Sequence, residues 1–412
     1  MAALHTFNIG VNWNNKIRGI TLEMRWIAPL VAITLISGLT ACGNKSSNEP
    51  KTQDGEIIKI GSVAPLTGPQ AHLGKDNENG TRMAIDDANA RGIEIGGKKV
   101  LFELMSEDDQ ADPKTATIVA QKLVDAKVKG VIGHLNSGTT IPASRIYNDA
   151  GIVQISPSAT NPKYTEQNFK SAFRVMTNDV QQGKVLGDYA VKQLAAKKIA
   201  IIDDRSAYGQ GLAEQFEKAV KAAGGEVVSH EYTTDKSTDF MAILTSVKAK
   251  APDLLFYGGM DSQGGPMIKQ LRTLGVTAKF LMGDGGSTPE FIKLSGGNAE
   301  GAYSSLPGVP IDKMPGGKAF ADKFNAKYGQ IQLYAPYCYD AVNAMITAMQ
   351  KAGSSDPAKY LPELAKIEME GVTAPVRFDE KGDIKDGTVT MYQVKNGKWV
   401  VMETVTSTLA GK

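Results

Sequence analysis

At 412 residues, 42% apolar and 22% charged, the chain is long enough for two ordinary domains and has the composition of a soluble globular protein. Its 46 basic and 44 acidic residues are interspersed, leaving a net charge near +2 with no basic tail and no aromatic-basic stripe. Nucleic acid is therefore not expected as a partner.

Residues 1–23 are Asn-rich and without periodicity, and Met24-Arg25 has the form of a conventional signal start, so translation is expected to begin at Met24. Residues 26–39 (WIAPLVAITLISGL) form an uncharged, mostly apolar run. It is shorter than the roughly 20 residues of a membrane span and within the range of a signal-peptide core. Leu39-Thr40-Ala41-Cys42 then has the form of a lipobox, in which Cys42 is acylated and becomes the mature N-terminus. The polar stretch 43–56 reads as a flexible tether with a root-mean-square reach of about 20 Å. The expected location is the periplasm or cell surface, with Cys42 as the membrane anchor. The other cysteine, Cys338, sits in an apolar helical context and reads as a small buried filler, since no His or acid accompanies it.

From residue 57 onward, strand-like runs alternate with helical patterns. Strands are predicted at 57–63, 100–105, 130–133, 152–156, 199–203, 226–232, 254–257, 280–283 and 303–306. Helices are predicted at 79–90, 114–126, 141–149, 180–194, 212–223, 240–249 and 265–274. Asp112-Pro113, Thr288-Pro289 and Asp356-Pro357 place a capping residue before a proline, and Gly224-Gly225 and Gly275 supply stops. The alternation is too long for one sheet, and the β-rich tail 376–402 breaks it, with Lys395-Asn396-Gly397 turning a terminal hairpin. An α/β fold of two doubly wound, parallel-sheet lobes accounts for both features.

Residues 131–162 (VIGHLNSGTTIPASRIYNDAGIVQISPSATNP) are the richest in chemistry. They read as strand, polar loop, helix, strand, polar loop. Ser137, Gly138, Thr139 and Thr140 lie where a helix should begin, so unpaired N–H groups and a favourable dipole await an anion. Ser156, Ser158 and Thr160 repeat that chemistry one strand later. Open α/β sheets bind ligands beyond their strand C-termini, and a small carboxylate fits such a crevice. The alternative, that Ser137 and Thr139 merely cap the helix, stays open at this level. Asp284 in FLMGDGG follows an apolar strand and is flanked by glycines, so either a ligand cation approaches it or it is a solvated turn residue. Tyr208 in DRSAYGQG precedes a helix and is either a pocket residue or half-buried packing. The four His residues lack metal-ligand spacing, no Walker A sequence or dinucleotide fingerprint is present, and nothing assembles a nucleophile with its base. No metal, cofactor or enzymatic activity is expected. Asp108-Asp109 and Asp203-Asp204 read as loop and cap acids.

The chain resembles the leucine/isoleucine/valine-binding proteins that serve branched-chain amino-acid ABC transporters. The resemblance runs from IGSVAPLTGPQAHLG near Ile60, through DDQADPKTATIVAQKLV, IGHLNSGTTIPAS, ISPSATNP and IAIIDDRSAYGQGLAEQF, to YDAVNAM and FDEKGDIKDG. It implies a type I periplasmic binding protein with three chain crossings near 177–179, 307–309 and 388–389. Lobe 1 would comprise 57–178 plus 309–388, and lobe 2 would comprise 179–308 plus 389–412. It implies that Ser137, Gly138 and Thr160 hold a ligand carboxylate, and that Asp284, the Ser158 carbonyl and the Thr160 hydroxyl hold its ammonium. Tyr208 would close over the ligand. Leu73 and Met260 stand where the family has aromatic pocket residues, which implies a softer apolar pocket; His72, beside Leu73, is expected at the surface. Where some members carry a disulfide, this sequence has Ala111 and Asn136. The implied partners are a free apolar amino acid and an ABC permease with its ATPase subunits. An amino-acid or amide sensor on the same fold is the competing reading.

Overall fold

In a computed structural model of the protein, residues 55–406 are described. The expected signal segment, Met24 start, Cys42 and nearly all of the tether lie outside those residues.

A six-stranded sheet comes first. It is built from β1 (Glu56–Ala64), β2 (Glu94–Ile95), β3 (Lys98–Asp108), β4 (Val131–Gly133), β5 (Gln154–Ser156) and β6 (Ala172–Arg174) in the order β2-β3-β1-β4-β5-β6. All its pairings are parallel except the short β2–β3 ribbon. Ile58 and Ile60 of β1 pack with Ala84 and Ile85 of α1 (Ala71–Arg91), whereas Val63 joins Leu123 of α2 (Pro113–Asp125) and Tyr147 of α3 (Ser137–Asp149). Successive β1 side chains thus meet helices on opposite faces, which is why the strand is an apolar run rather than an alternation. Asp112 caps α2 by accepting from the Thr115 N–H.

The second sheet has seven strands. After α4 (Asp179–Asp188) come β7 (Lys198–Asp203), α5 (Ala207–Ala222), β8 (Glu226–Tyr232), α6 (Met241–Ala249), β9 (Leu254–Gly258), α7 (Asp261–Thr273), β10 (Lys279–Met282), α8 (Pro289–Leu294) and β11 (Tyr303–Pro307). Here too Ile199 and Ile201 face Leu186 and Phe216, while Ala200 and Ile202 face Leu244 and Leu271. The chain then builds α9 (Gly317–Tyr328), α10 (Ala335–Ala352), α11 (Pro357–Ala365) and the ribbon of β12 (Met369–Glu370) with β13 (Pro375–Val376). α10 and α11 pack on each other and α10 on α1, so this stretch belongs with the first sheet. The hairpin β14 (Thr388–Lys395) and β15 (Lys398–Thr406) finally adds two antiparallel strands beside β11. Asn396 and Gly397, both at positive φ, make its two-residue turn.

The result is two mostly parallel α/β sheets, each wrapped by helices. The chain passes between them in three places, and the Thr388 carbonyl ties these together, accepting from Thr177 Oγ1 at 2.9 Å and from the Gly308 N–H at 2.7 Å. Gly308 has φ +96°, and a Cβ there would stand 1.9 Å from the Tyr337 hydroxyl, so only glycine fits this junction.

Several helices start earlier than their periodicity predicts: α7 begins at Asp261 and α3 at Ser137, each four residues early, and two others begin earlier still. α1 begins at Ala71 and α5 at Ala207. In α1 the extra turns carry Asp76 and Asn77, polar yet buried, which hides the apolar face from a hydrophobicity pattern. Cys338 is fully buried in α10, which raises its thiol pKa well above the ordinary range.

Candidate functional site

β4 ends at Gly133, and the chain turns through His134–Asn136 into α3. His134 is fully buried, its Nδ1 2.8 Å from Asp109 and its Nε2 3.1 Å from the Tyr147 hydroxyl, so it anchors the loop rather than facing a ligand. Asn136 occupies the cap position without a side-chain cap bond. Ser137 and Gly138 are therefore the first helical residues, where the helix itself supplies no acceptor for their N–H groups. Neither Ser137 nor Thr139 caps α3: Ser137 Oγ accepts from the Asn161 N–H at 3.2 Å, and Thr139 Oγ1 donates back to the Asn136 carbonyl.

One strand further, Ser156 Oγ accepts from the Ala159 N–H and donates to the His134 carbonyl, and Ser158 Oγ donates to the Leu135 carbonyl. These hydroxyls stitch the two loops together. Thr160 is different. Its Oγ1 is buried and finds no hydrogen-bond partner.

Across the gap, Ser206 caps α5 by accepting from the Gly209 N–H and so presents Tyr208 in the first turn. Asp284 opens a short turn after β10 and is fully buried. One of its oxygens accepts from Tyr208 OH at 2.7 Å and Gln182 Nε2 at 2.9 Å, and the other from Tyr334 OH at 2.7 Å. Burial pushes its pKa up and these three donors pull it down, with a net rise. A buried carboxyl surrounded only by neutral donors is an unsatisfied place for a cation. The flanking glycines serve packing rather than ligand approach. A Cβ on Gly283 would stand 2.6 Å from Tyr208 OH, and one on Gly285 would stand 2.8 Å from Met260 Sδ.

A small cavity, with only about 10 Å³ open to a water-sized molecule, joins these parts. Leu135, Asn136, Ser137, Ser158 and Tyr334 line it from one side, and Tyr208, Met260 and Asp284 from the other. Three bonds cross the gap beside it: Tyr334 to Asp284, Asn161 Nδ2 to the Ala207 carbonyl at 2.6 Å, and His72 Nε2 to Asp261 Oδ2 at 2.7 Å. The cleft is thus closed. A larger hollow of about 300 Å³ lies between Trp399, Tyr392 and the start of α10, but no charged side chain among the described residues lines it, and it offers a zwitterion no charged partner.

Five of the eight residues singled out in the sequence line the cavity: Ser137, Ser158, Tyr208, Met260 and Asp284. Gly138 sits beside Ser137 in the first turn of α3, and Thr160 lies behind the lining, buried. Leu73 is a correction. It is fully buried in the apolar core at the start of α1 and does not reach the cavity. His72 is half-buried and bonded across the cleft rather than lying free on the surface. Tyr334 and Gln182 were missed. Tyr334 is set by Asp76, whose carboxylate accepts the N–H groups of Gln332, Leu333, Tyr334 and Ala335 ahead of α10. The acid pairs Asp108-Asp109 and Asp203-Asp204 hold loop N–H groups and His residues, as cap acids do. Among the described residues no group of His, Cys, Asp and Glu could hold a metal.

A family model described as periplasmic binding protein matches residues 57–398. An amino acid binding protein of Pseudomonas aeruginosa is 37% identical over 339 residues, covering 82% of this chain and 90% of that protein. A leucine-binding protein of Thermotoga maritima superposes with a TM-score of 0.79 at 27% identity, over 84% of this chain and 98% of that one. A branched-chain amino-acid transporter substrate-binding protein of Streptococcus pneumoniae, solved with isoleucine, gives a TM-score of 0.77 at 30% identity, over 85% and 100%.

Proposed function

The chain belongs to the periplasmic binding protein family, and from that premise we propose that it captures a free branched-chain or similarly apolar L-amino acid for an ABC importer. The observation that carries this reading is the pairing of unlike walls around one closed cavity. The free N–H groups at the start of α3 suit a carboxylate, and buried Asp284 suits an ammonium. Met260 and Leu135 supply apolar lining against which an aliphatic side chain would pack. The relatives' ligands, leucine and isoleucine, have that combination of groups.

In this reading Ser137, Gly138 and the Thr160 N–H take the carboxylate. The Ser158 carbonyl, the Thr160 hydroxyl and Asp284 take the ammonium, and Tyr208 closes over both. Residues 57–178 with 309–388 form one lobe and 179–308 with 389–412 the other, hinged at the Thr388 junction. Closure is a population shift, since the ligand bonds both lobes only when they meet. The signal segment and Cys42 would export the protein and tether it to a membrane through the 43–56 linker. There the closed form would dock on a permease driven by ATPase subunits. Calorimetry on protein stripped of endogenous solute is expected to show saturable binding of leucine, isoleucine or valine without turnover. Absence of heat with every free amino acid overturns the proposal.

A further inference from the structure

Beside the cavity lies an acid that none of the roles above uses. Asp179 is the first residue of α4, just past the first chain crossing, and it is fully buried. Its backbone N–H donates to the Thr160 carbonyl at 2.9 Å, which fixes the two residues against each other. Among the described residues, neither oxygen of its carboxyl has a hydrogen-bond partner, and neither does Thr160 Oγ1. With their backbones tied by that bond, a side-chain hydrogen bond from the Thr160 hydroxyl to the Asp179 carboxyl would satisfy both groups. Three buried polar atoms with open valences at one spot are costly unless something completes them.

Surrounding charges say what would complete them. Burial first, and then the charge of Asp284, push the Asp179 pKa up to about 8. The Thr160 hydroxyl and Arg174 oppose that rise. Arg174 is already engaged: its guanidinium bonds Asp383 at 2.6 Å and the Ala159 and Asn161 carbonyls at 2.9 Å. Two buried carboxyls therefore share a corner that lacks a free cation among the described residues. An ammonium entering between Asp284 and Thr160 supplies it.

We infer that Asp179 is a positioning residue for the ligand's ammonium: it accepts the proton of the Thr160 hydroxyl and so turns that oxygen's lone pairs toward the amine. A hydroxyl carries one donor and two acceptor sites, and which of them faces the ligand depends on where its hydrogen is spent. With the hydrogen on Asp179, Thr160 Oγ1 accepts from the ammonium. Without that partner the hydroxyl turns freely and presents donor and acceptor alike. Asp179 thereby sets the selectivity for an amine over an isosteric alcohol. This rests on the amino-acid reading above and assigns an atom-level role within it.

The test compares two ligands in the full-length, ligand-stripped protein: L-leucine and (S)-2-hydroxy-4-methylpentanoate, which replaces the ammonium by a hydroxyl. By calorimetry, Asp179→Ala, which removes the acceptor that Asn would keep, is expected to weaken leucine by roughly tenfold to a hundredfold, as for loss of one charge-assisted hydrogen bond. The hydroxy acid should change by less than about threefold, so the ratio of the two dissociation constants collapses. Thr160→Val should collapse it likewise, and Thr160→Ser should keep it. Should Asp179→Ala fail to fold, Asp179→Leu, of closer volume and also without an acceptor, takes its place. A ratio unchanged in these Asp179 variants, whether both ligands weaken equally or neither does, overturns the inference while leaving the proposed function intact. A parent protein that binds no amino acid overturns both.

Discussion

The two walls of the cleft are made of different material. On the first-sheet side the polar groups are backbone N–H groups at the start of α3, with short hydroxyls tied into loop bonds. On the second-sheet side they are long side chains, Tyr208 and Asp284 with Gln182 behind, converging from three separate elements. A wall of backbone is fixed by the helix itself and survives the loss of any one side chain. A wall of side chains concentrates charge on one carboxyl and fails with it. Anion and cation recognition should therefore differ in how they respond to mutation.

The largest effect is expected at Asp284. Asp284→Ala should weaken amino-acid binding by about 2–5 kcal/mol, as when one partner of a buried charge pair is removed. Titration calorimetry reads this directly, and unchanged affinity would erase the contrast between the walls. Ser137→Ala tests the other wall. Because the Ser137 and Gly138 N–H groups remain, the loss should be only about 1 kcal/mol, the worth of one hydrogen bond. A loss as large as that at Asp284 would show that the hydroxyl, not the backbone, holds the carboxylate.

The smallest effect is at the rim, where the walls touch. His72 reaches Asp261, which also accepts from the Thr288 hydroxyl. Burial lowers the His72 pKa, but the hydrogen bond and charge of Asp261 more than offset this, and the net shift is upward. Because this bond exists only when the cleft is closed, the closed form holds the proton more tightly than the open one. Its contribution to closure is complete below the ordinary histidine range near pH 6.5 and disappears as pH rises through the raised value. Affinity measured from about pH 6 to 9 should lose a few-fold on this limb. His72→Gln should flatten that component, and an identical profile in both proteins would remove the latch.

Much of the architecture is legible in local chemistry. The caps at Asp112, Thr288 and Asp356 all form their predicted side-chain bonds. The hairpin turn at Asn396-Gly397 and the start of α3 at Ser137 follow from residues adjacent in the chain. Apolar runs covered on both faces mark the parallel strands. What escaped has a common cause. The first turns of α1 look polar because Asp76 is buried against the N–H groups of residues 332–335, some 256 positions away. Tyr334 gives no local sign of its role, since its only distinction is the carboxyl it meets 50 residues upstream. The glycines around Asp284 suggest open approach, yet they make room for Tyr208 and Met260 from other elements.

From the chain alone come the strands, their caps and turns, and the two hydroxyl-bearing loops, because each depends on neighbours a few residues apart. Only the fold in three dimensions brings Asp284, Tyr208, Gln182 and Tyr334 to one point, moves Leu73 into the core, and sets Asp179 against Thr160. Those outcomes depend on which buried polar groups find partners at long range, and a burial pattern written in one dimension holds no record of such meetings.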